Sequence, residues 1–159
     1  MSVKSLSLAA IAAFSFGVPA FADSHITIQD AYARSGGKAA RAGAAFMTIV
    51  NHGDEADRLI AVASDAAVRV ELHTHKEIGD GVMQMLHVEE GFVVPAQGQH
   101  ALDRGADHVM FMGLKAPWEQ GDVLTVTLTF EKSGDMVIEV PVDQDRKAGA
   151  GHGHSGHDH

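Results

Sequence analysis

The chain has 159 residues and a mass of 16.8 kDa, enough for one domain with a real hydrophobic core and too little for two of ordinary size. Its 12 Lys and Arg face 21 Asp and Glu for a formal net charge of -9, so nucleic acid and anionic lipid would be repelled and are excluded as partners. The absence of cysteine rules out disulfides, thiolate zinc sites, iron–sulfur clusters, cysteine nucleophiles and blue-copper centres, and leaves 11 His and 7 Met as the feature to explain.

In chain order, residues 1–22 come first. Lys4 supplies a positive charge, residues 6–16 form a short apolar run, and Ala20-Phe21-Ala22 is a small-x-small site. This pattern predicts a secretory signal cleaved after Ala22, and hence a periplasmic protein. The run is shorter than the ~20 residues that cross a bilayer, so no membrane span is expected after cleavage. The new N-terminus, Asp23-Ser24-His25, would set an imidazole third from a free amine, a square-planar set suited to Cu(II).

The predicted domain spans 23–144, and between Ile26 and Val142 its apolar residues mostly alternate with polar ones. Strands are predicted over 26–32, 45–50, 58–63, 68–75, 82–88, 108–114, 123–130 and 136–142, separated by turn signals such as Gly79-Asp80-Gly81 and Ser133-Gly134-Asp135. No helical stripe of useful length occurs. Short, regularly spaced strands predict an all-β domain, a Greek-key sandwich or small barrel. From Asp145 to 159 the chain turns into low-complexity Gly and His, too polar to bury a core. This reads as a disordered tail whose His152, His154, His157 and His159 would bind Cu(II).

The remaining His and Met concentrate in Val70-Glu71-Leu72-His73-Thr74-His75, in Met83-Gln84-Met85, and in His108-Val109-Met110-Phe111-Met112. Residues two apart in a strand share a face and lie ~6.6 Å apart, so each stretch presents a same-face group of donors, and a hairpin would set the first two side by side. Thioethers are soft donors that prefer Cu(I), and imidazole accepts both copper oxidation states. Mixed Met/His donors therefore select copper, chiefly Cu(I). Unlike a thiolate, a thioether cannot be lost to a disulfide outside the cytoplasm.

These blocks resemble the periplasmic copper chaperones called PCu(A)C. The resemblance runs from Ile26 to Phe130 and rests on Ala45-Phe46-Met47-Thr48-Ile49-Val50-Asn51, Glu71-Leu72-His73, Gly81-Val82-Met83-Gln84-Met85 and His108-Val109-Met110-Phe111-Met112-Gly113-Leu114. It implies a cupredoxin-like β-barrel that binds Cu(I) through His73, Met85, His108 and Met110; the same-face spacing adds His75, Met83 and Met112 as further candidate donors. It also implies delivery of copper to the dinuclear centre of the copper-bearing subunit of cytochrome c oxidase, alongside a thioredoxin-like copper chaperone. The family spaces its ligands as His, ten residues, Met, twenty-one residues, then His-x-Met. This chain has 11 and 22 in those gaps, and turns absorb one-residue insertions without disturbing the strands that flank them.

Two other readings compete. A cupin-like metalloenzyme would use His73, His75, Glu77 and His100, but Glu77 stands too close to His75 for that pattern and the methionines would have no role. A copper storage or detoxification protein would use the same donors. No nucleophile triad, HExxH helix or phosphate loop is present, and the chain is expected not to be an enzyme. Trp118 is assigned to packing, His52, His87 and His100 to ordinary structure, and Glu71 and Asp107 to orienting ligand imidazoles.

Overall fold

Alternation dictates the local structure. In Val123–Phe130, Leu124, Val126, Leu128 and Phe130 are buried while the residues between them face outward or are only half covered, the period-two pattern of a strand packed on one side. The computed structural model describes residues 25–148. The predicted signal, residues 1–22, and the tail histidines His152, His154, His157 and His159 lie outside the described residues.

Ten strands follow in order: β1 Ile26–Ser35, β2 Ala42–Asn51, β3 Asp57–Ala63, β4 Ala67–Glu77, β5 Met83–His87, β6 Phe92–Val94, β7 Gly98–Leu102, β8 His108–Leu114, β9 Val123–Phe130 and β10 Gly134–Pro141. The eight predicted strands are all present. The two additional ones, β6 and β7, have three and five residues, too short for a periodic signal. One sheet runs β1-β2-β8-β4-β5, with β7 pairing the second half of β2, and the other runs β10-β9-β3-β6. All these pairings are antiparallel. The sheets do not close on each other, so of the two expected forms the chain adopts the sandwich rather than the barrel. No helix long and apolar enough to cross a membrane occurs among the described residues.

The core lies between the inner faces. Ala45, Met47, Ile49, Leu72, Val109 and Phe111 from the large sheet meet Leu59, Val126, Leu128, Phe130 and Val140 from the small one, each large side chain stabilising the fold by about 1.5–3 kcal/mol. Trp118 packs edge-on against Phe111 at 5.0 Å and is 5% exposed, as its packing assignment requires. Gly43 makes room for it, since a Cβ there would lie 2.3 Å from the indole.

Asp57 ties the start of β3 to the turn between β9 and β10. Its buried carboxylate accepts bonds from the backbone N–H of Arg58, Lys132 and Ser133 and from the Ser133 hydroxyl, at 2.6–3.0 Å. Burial alone would raise its pKa, but these four donors outweigh it and hold the carboxyl below its ordinary 3.8. A depressed carboxyl contributes stability above the unfolded value and loses it as pH falls through the folded one. The urea midpoint should therefore drop as pH falls below 3.8. Asp57→Asn, which cannot accept all four bonds, should cost about 1–3 kcal/mol at pH 7 and flatten that acid limb. An unchanged limb in the variant would assign it to other groups.

Candidate metal centre

Strand register brings the predicted donors together. Pairing of β4 with β5 sets His73 opposite His87 and His75 opposite Met85, while pairing of β4 with β8 sets His73 opposite His108 and Glu71 opposite Met110. Because side chains alternate, His73, His75, Met83, Met85, His87, His108, Met110 and Met112 all stand on one face of the large sheet. The opposite face carries Leu72, Val109 and Phe111 into the core. A row of rings continues across this outer face, with Tyr32 to Phe46 at 5.2 Å, Phe46 to His108 at 6.2 Å and His108 to His75 at 5.1 Å.

A cleft of about 340 Å³ opens on this face, lined by His75, Met85, His108 and Met110, with Phe46 as apolar wall and Arg34 and Arg104 at its lip. His108 forms a floor, 2% exposed, whereas Met85 is 48% exposed on the edge strand. Met83 projects from the same edge at 53% exposure, so neither of these methionines fills the core, unlike Met47 and the partly buried Met136. Met112 is half-buried, opposite Arg69.

Backbone geometry fixes the imidazoles. The Ala106 carbonyl lies 2.9 Å from Nδ1 of His108 and 3.3 Å from Nδ1 of His75. A carbonyl only accepts, so both Nδ1 atoms carry the proton and both Nε2 atoms keep a free lone pair for a metal. Burial pushes the pKa of His108 down, aided by the neighbouring imidazoles of His75 and His73 and opposed by its bond to Ala106, which keeps the ring neutral as a ligand must be. The expected role of Asp107 differs from what the structure shows. Its carboxylate accepts from His100 Nε2 at 2.9 Å, and His100 stacks on Phe92 at 5.1 Å, so the pair braces the loop that presents Ala106. His100 is therefore not a ligand partner of the cleft, as a cupin-like set would need.

His73 stands next to the cleft, its ring 6.0 Å from His108 and 5.8 Å from His87. Its Nε2 bonds the Glu71 carboxylate at 2.9 Å, the orienting contact expected of Glu71, and this bond lowers the Glu71 pKa. The other ring nitrogen, Nδ1, is buried without a hydrogen-bond partner. Among the described residues no three His, Asp or Glu side chains form a metal-holding group. His25 is exposed at the start of β1 with its carbonyl accepting from the His52 N–H, away from these donors in the pairing order. Nothing in the residues themselves pointed to Ala106, because a backbone carbonyl carries no sequence signal.

In the metal-free protein above the His titration range, nitrogen-correlated NMR should show His75 and His108 as Nδ1–H tautomers and His73 as Nε2–H. Finding His108 as Nε2–H would contradict the Ala106 arrangement.

The chain is similar in sequence and fold to several known proteins. The chain is 36% identical over 107 residues to "Putative lipoprotein Lxx21020" of Leifsonia xyli subsp. xyli and 26% identical over 103 residues to "Uncharacterized protein RP573" of Rickettsia prowazekii. It spans 64% and 56% of those proteins, which in turn match 66% and 64% of this chain. Among solved structures it is similar to the Cu(I) form of DR1885 from Deinococcus radiodurans, with TM-score 0.61 and 28% identity over 82% of this chain and 83% of that one. The apo form of DR1885 gives TM-score 0.59 and 27% identity over 91% and 93%. The copper-bound PCuAC domain from PmoF2 shares the fold at TM-score 0.62 and 23% identity, over 76% and 93%. A family model described as "Putative lipoprotein LpqE-like" matches residues 26–142, nearly the whole sandwich, and the chain belongs to this LpqE-like family.

Proposed function

We propose that this chain is a copper carrier of the cell envelope that holds one Cu(I) in the cleft through Met85, His108, Met110 and an imidazole of β4. The observation that carries the reading is the convergence of two thioethers and two imidazoles with free Nε2 atoms on one cleft. Soft sulfur selects Cu(I) over the hard ions of the envelope, and imidazole completes the set. The Cu(I) form of DR1885 and the family's lipoprotein name support copper as cargo and the envelope as location.

His75 is the β4 ligand in this reading, because its ring lines the same cleft as the other three. The resemblance to PCu(A)C implies His73 instead, and its unpartnered Nδ1 is a donor with no other use in the fold. Neither choice changes the metal. A buried imidazole floor with an exposed thioether rim fits a carrier, since an acceptor can approach the sulfur side while the metal stays bound. Bound copper here is cargo, and we assign the chain no catalytic step. The acceptor in this reading is the copper-bearing subunit of cytochrome c oxidase, reached alongside a thioredoxin-like chaperone, with the signal of residues 1–22 directing export.

Chelator competition under reducing conditions tests the ligand set. Met85→Leu and Met110→Leu keep volume and apolar character at a cost under about 1.5 kcal/mol in stability, so each should weaken Cu(I) binding by about tenfold or more, equivalent to about 1.4 kcal/mol. Met83→Leu and Met112→Leu should change it little. Between His75→Ala and His73→Ala, the larger loss identifies the β4 ligand, and no loss in any of these variants would reject the site.

The tail carries a second expectation. Ending the chain after residue 148 should remove most Cu(II) capacity and leave the Cu(I) site intact, with any residual tetragonal Cu(II) signal vanishing in His25→Ala. Loss of Cu(I) binding on truncation would contradict two separate sites.

A further inference from the structure

The strands that end the two sheets differ in how they guard their free edges. Charges, prolines, register shifts and short length keep an edge from pairing with another chain. β1 shifts register between Gln29 and Tyr32 and carries Asp30 and Arg34. β10 carries Asp135, Glu139 and Pro141, and β6 has three residues and runs straight into Pro95. β7, off the main order of the large sheet, lies against β6. β5 has none of these devices. Its residues Met83-Gln84-Met85-Leu86-His87 include no acid, lysine, arginine or proline, and they pair with β4 without a shift. Among the described residues no strand pairs on its far side, and the hairpin adds exposed Ile78 and Val82 to exposed Met83 and Met85.

Register fixes what this edge presents. The Val88 N–H donates to the Leu72 carbonyl at 2.9 Å and the Ile78 N–H to the Val82 carbonyl at 3.0 Å, both in line with the β4–β5 register. Bonded and non-bonded pairs alternate along an antiparallel ladder, so Gln84 and Leu86 bond β4 while the backbone groups of Met83, Met85 and His87 point away from it. We infer that the free edge of β5 is where a copper acceptor docks, by adding an uncharged extended segment with sulfur side chains at alternate positions. Such a strand would set one of its side chains opposite Met85 on the same face, ~4.5–5.5 Å away between Cβ atoms. Met85 lines the cleft and is half in solvent. Transfer is then a ligand exchange at constant oxidation state, in which the bond from copper to the Met85 sulfur breaks as one to the incoming sulfur forms. A five-residue strand spans about 17 Å, far too little for the ~1,200 Å² of a lasting interface, and two copies at a net charge of -9 each repel one another. The edge therefore suits a brief encounter with another protein rather than a dimer. Transfer rests on the copper reading above, whereas strand addition does not require metal.

The test uses the full chain and a short peptide of alternating Thr and Met with blocked ends. Without metal, excess peptide should shift the NMR amide signals of Met83, Met85 and His87 and slow their hydrogen exchange, leaving the β10 edge unchanged. Loaded with Cu(I) under reducing conditions, the chain should pass copper to this peptide. The same peptide N-methylated on the residues whose N–H would face β5 should receive it about tenfold more slowly, the loss expected from about two main-chain hydrogen bonds. His87→Pro removes one outward N–H without touching the β4 ladder, and should slow transfer while Cu(I) affinity by chelator competition stays the same. Equal rates for the two peptides, or shifts that spare these three amides, would overturn the inference. Shifts at the same amides that grow with protein concentration alone would make a second copy the occupant and overturn it as well. Amide shifts with peptide in a chain that retains no Cu(I) would uphold the docking edge and reject the copper reading alone.

Discussion

The register of three adjacent strands is the constraint on which the rest depends. With His73 opposite His108 and His75 opposite Met85, every soft or imidazole donor of β4, β5 and β8 falls on the outer face, while Leu72, Val109 and Phe111 fall on the inner one. A slip of one residue in any of these pairings would send the donors into the core and Leu72, Val109 and Phe111 into solvent. The hydrophobic core therefore enforces the site geometry. Burying those three side chains is worth several kcal/mol, far more than an empty set of donors could contribute on its own behalf.

Within that register, the site is graded from inside outward. His108 is packed beneath Phe46 and kept neutral mainly by burial, while Met85 on the edge strand is half in solvent. One backbone carbonyl, that of Ala106, sets the tautomer of two imidazoles at once, and the His100–Asp107 pair holds the loop that carries it. In the proposed carrier, copper affinity would depend on residues that never approach the metal, as is usual where outer contacts orient ligands. The open thioether side suits a protein whose cargo must leave.

The strands were legible in the sequence because a one-sided sheet imposes alternation, and β9 shows it without interruption. β6 and β7 were not, because three and five residues beside Pro95 and Gly98 carry no period. The grouping of His and Met on one face was legible for the same reason as the strands. The choice between His73 and His75 was not, since residues two apart share a face by construction and only the position of the cleft separates them. Asn51 belonged to a recognisable block, yet its role is structural, capping the end of β2 through Gly53, Glu55 and Val94. The bracing of the Ala106 loop was invisible, because a carbonyl contact and a pair of residues seven apart leave no pattern in composition or spacing.

X-ray absorption at the copper edge tests the central claim most directly. The chain ending after residue 148, loaded with one equivalent of Cu(I), should show sulfur and nitrogen scatterers together in the first shell, two of them sulfur, with one sulfur lost in Met85→Leu. A first shell of nitrogen and oxygen alone, unchanged by that substitution, would contradict a thioether–imidazole copper site.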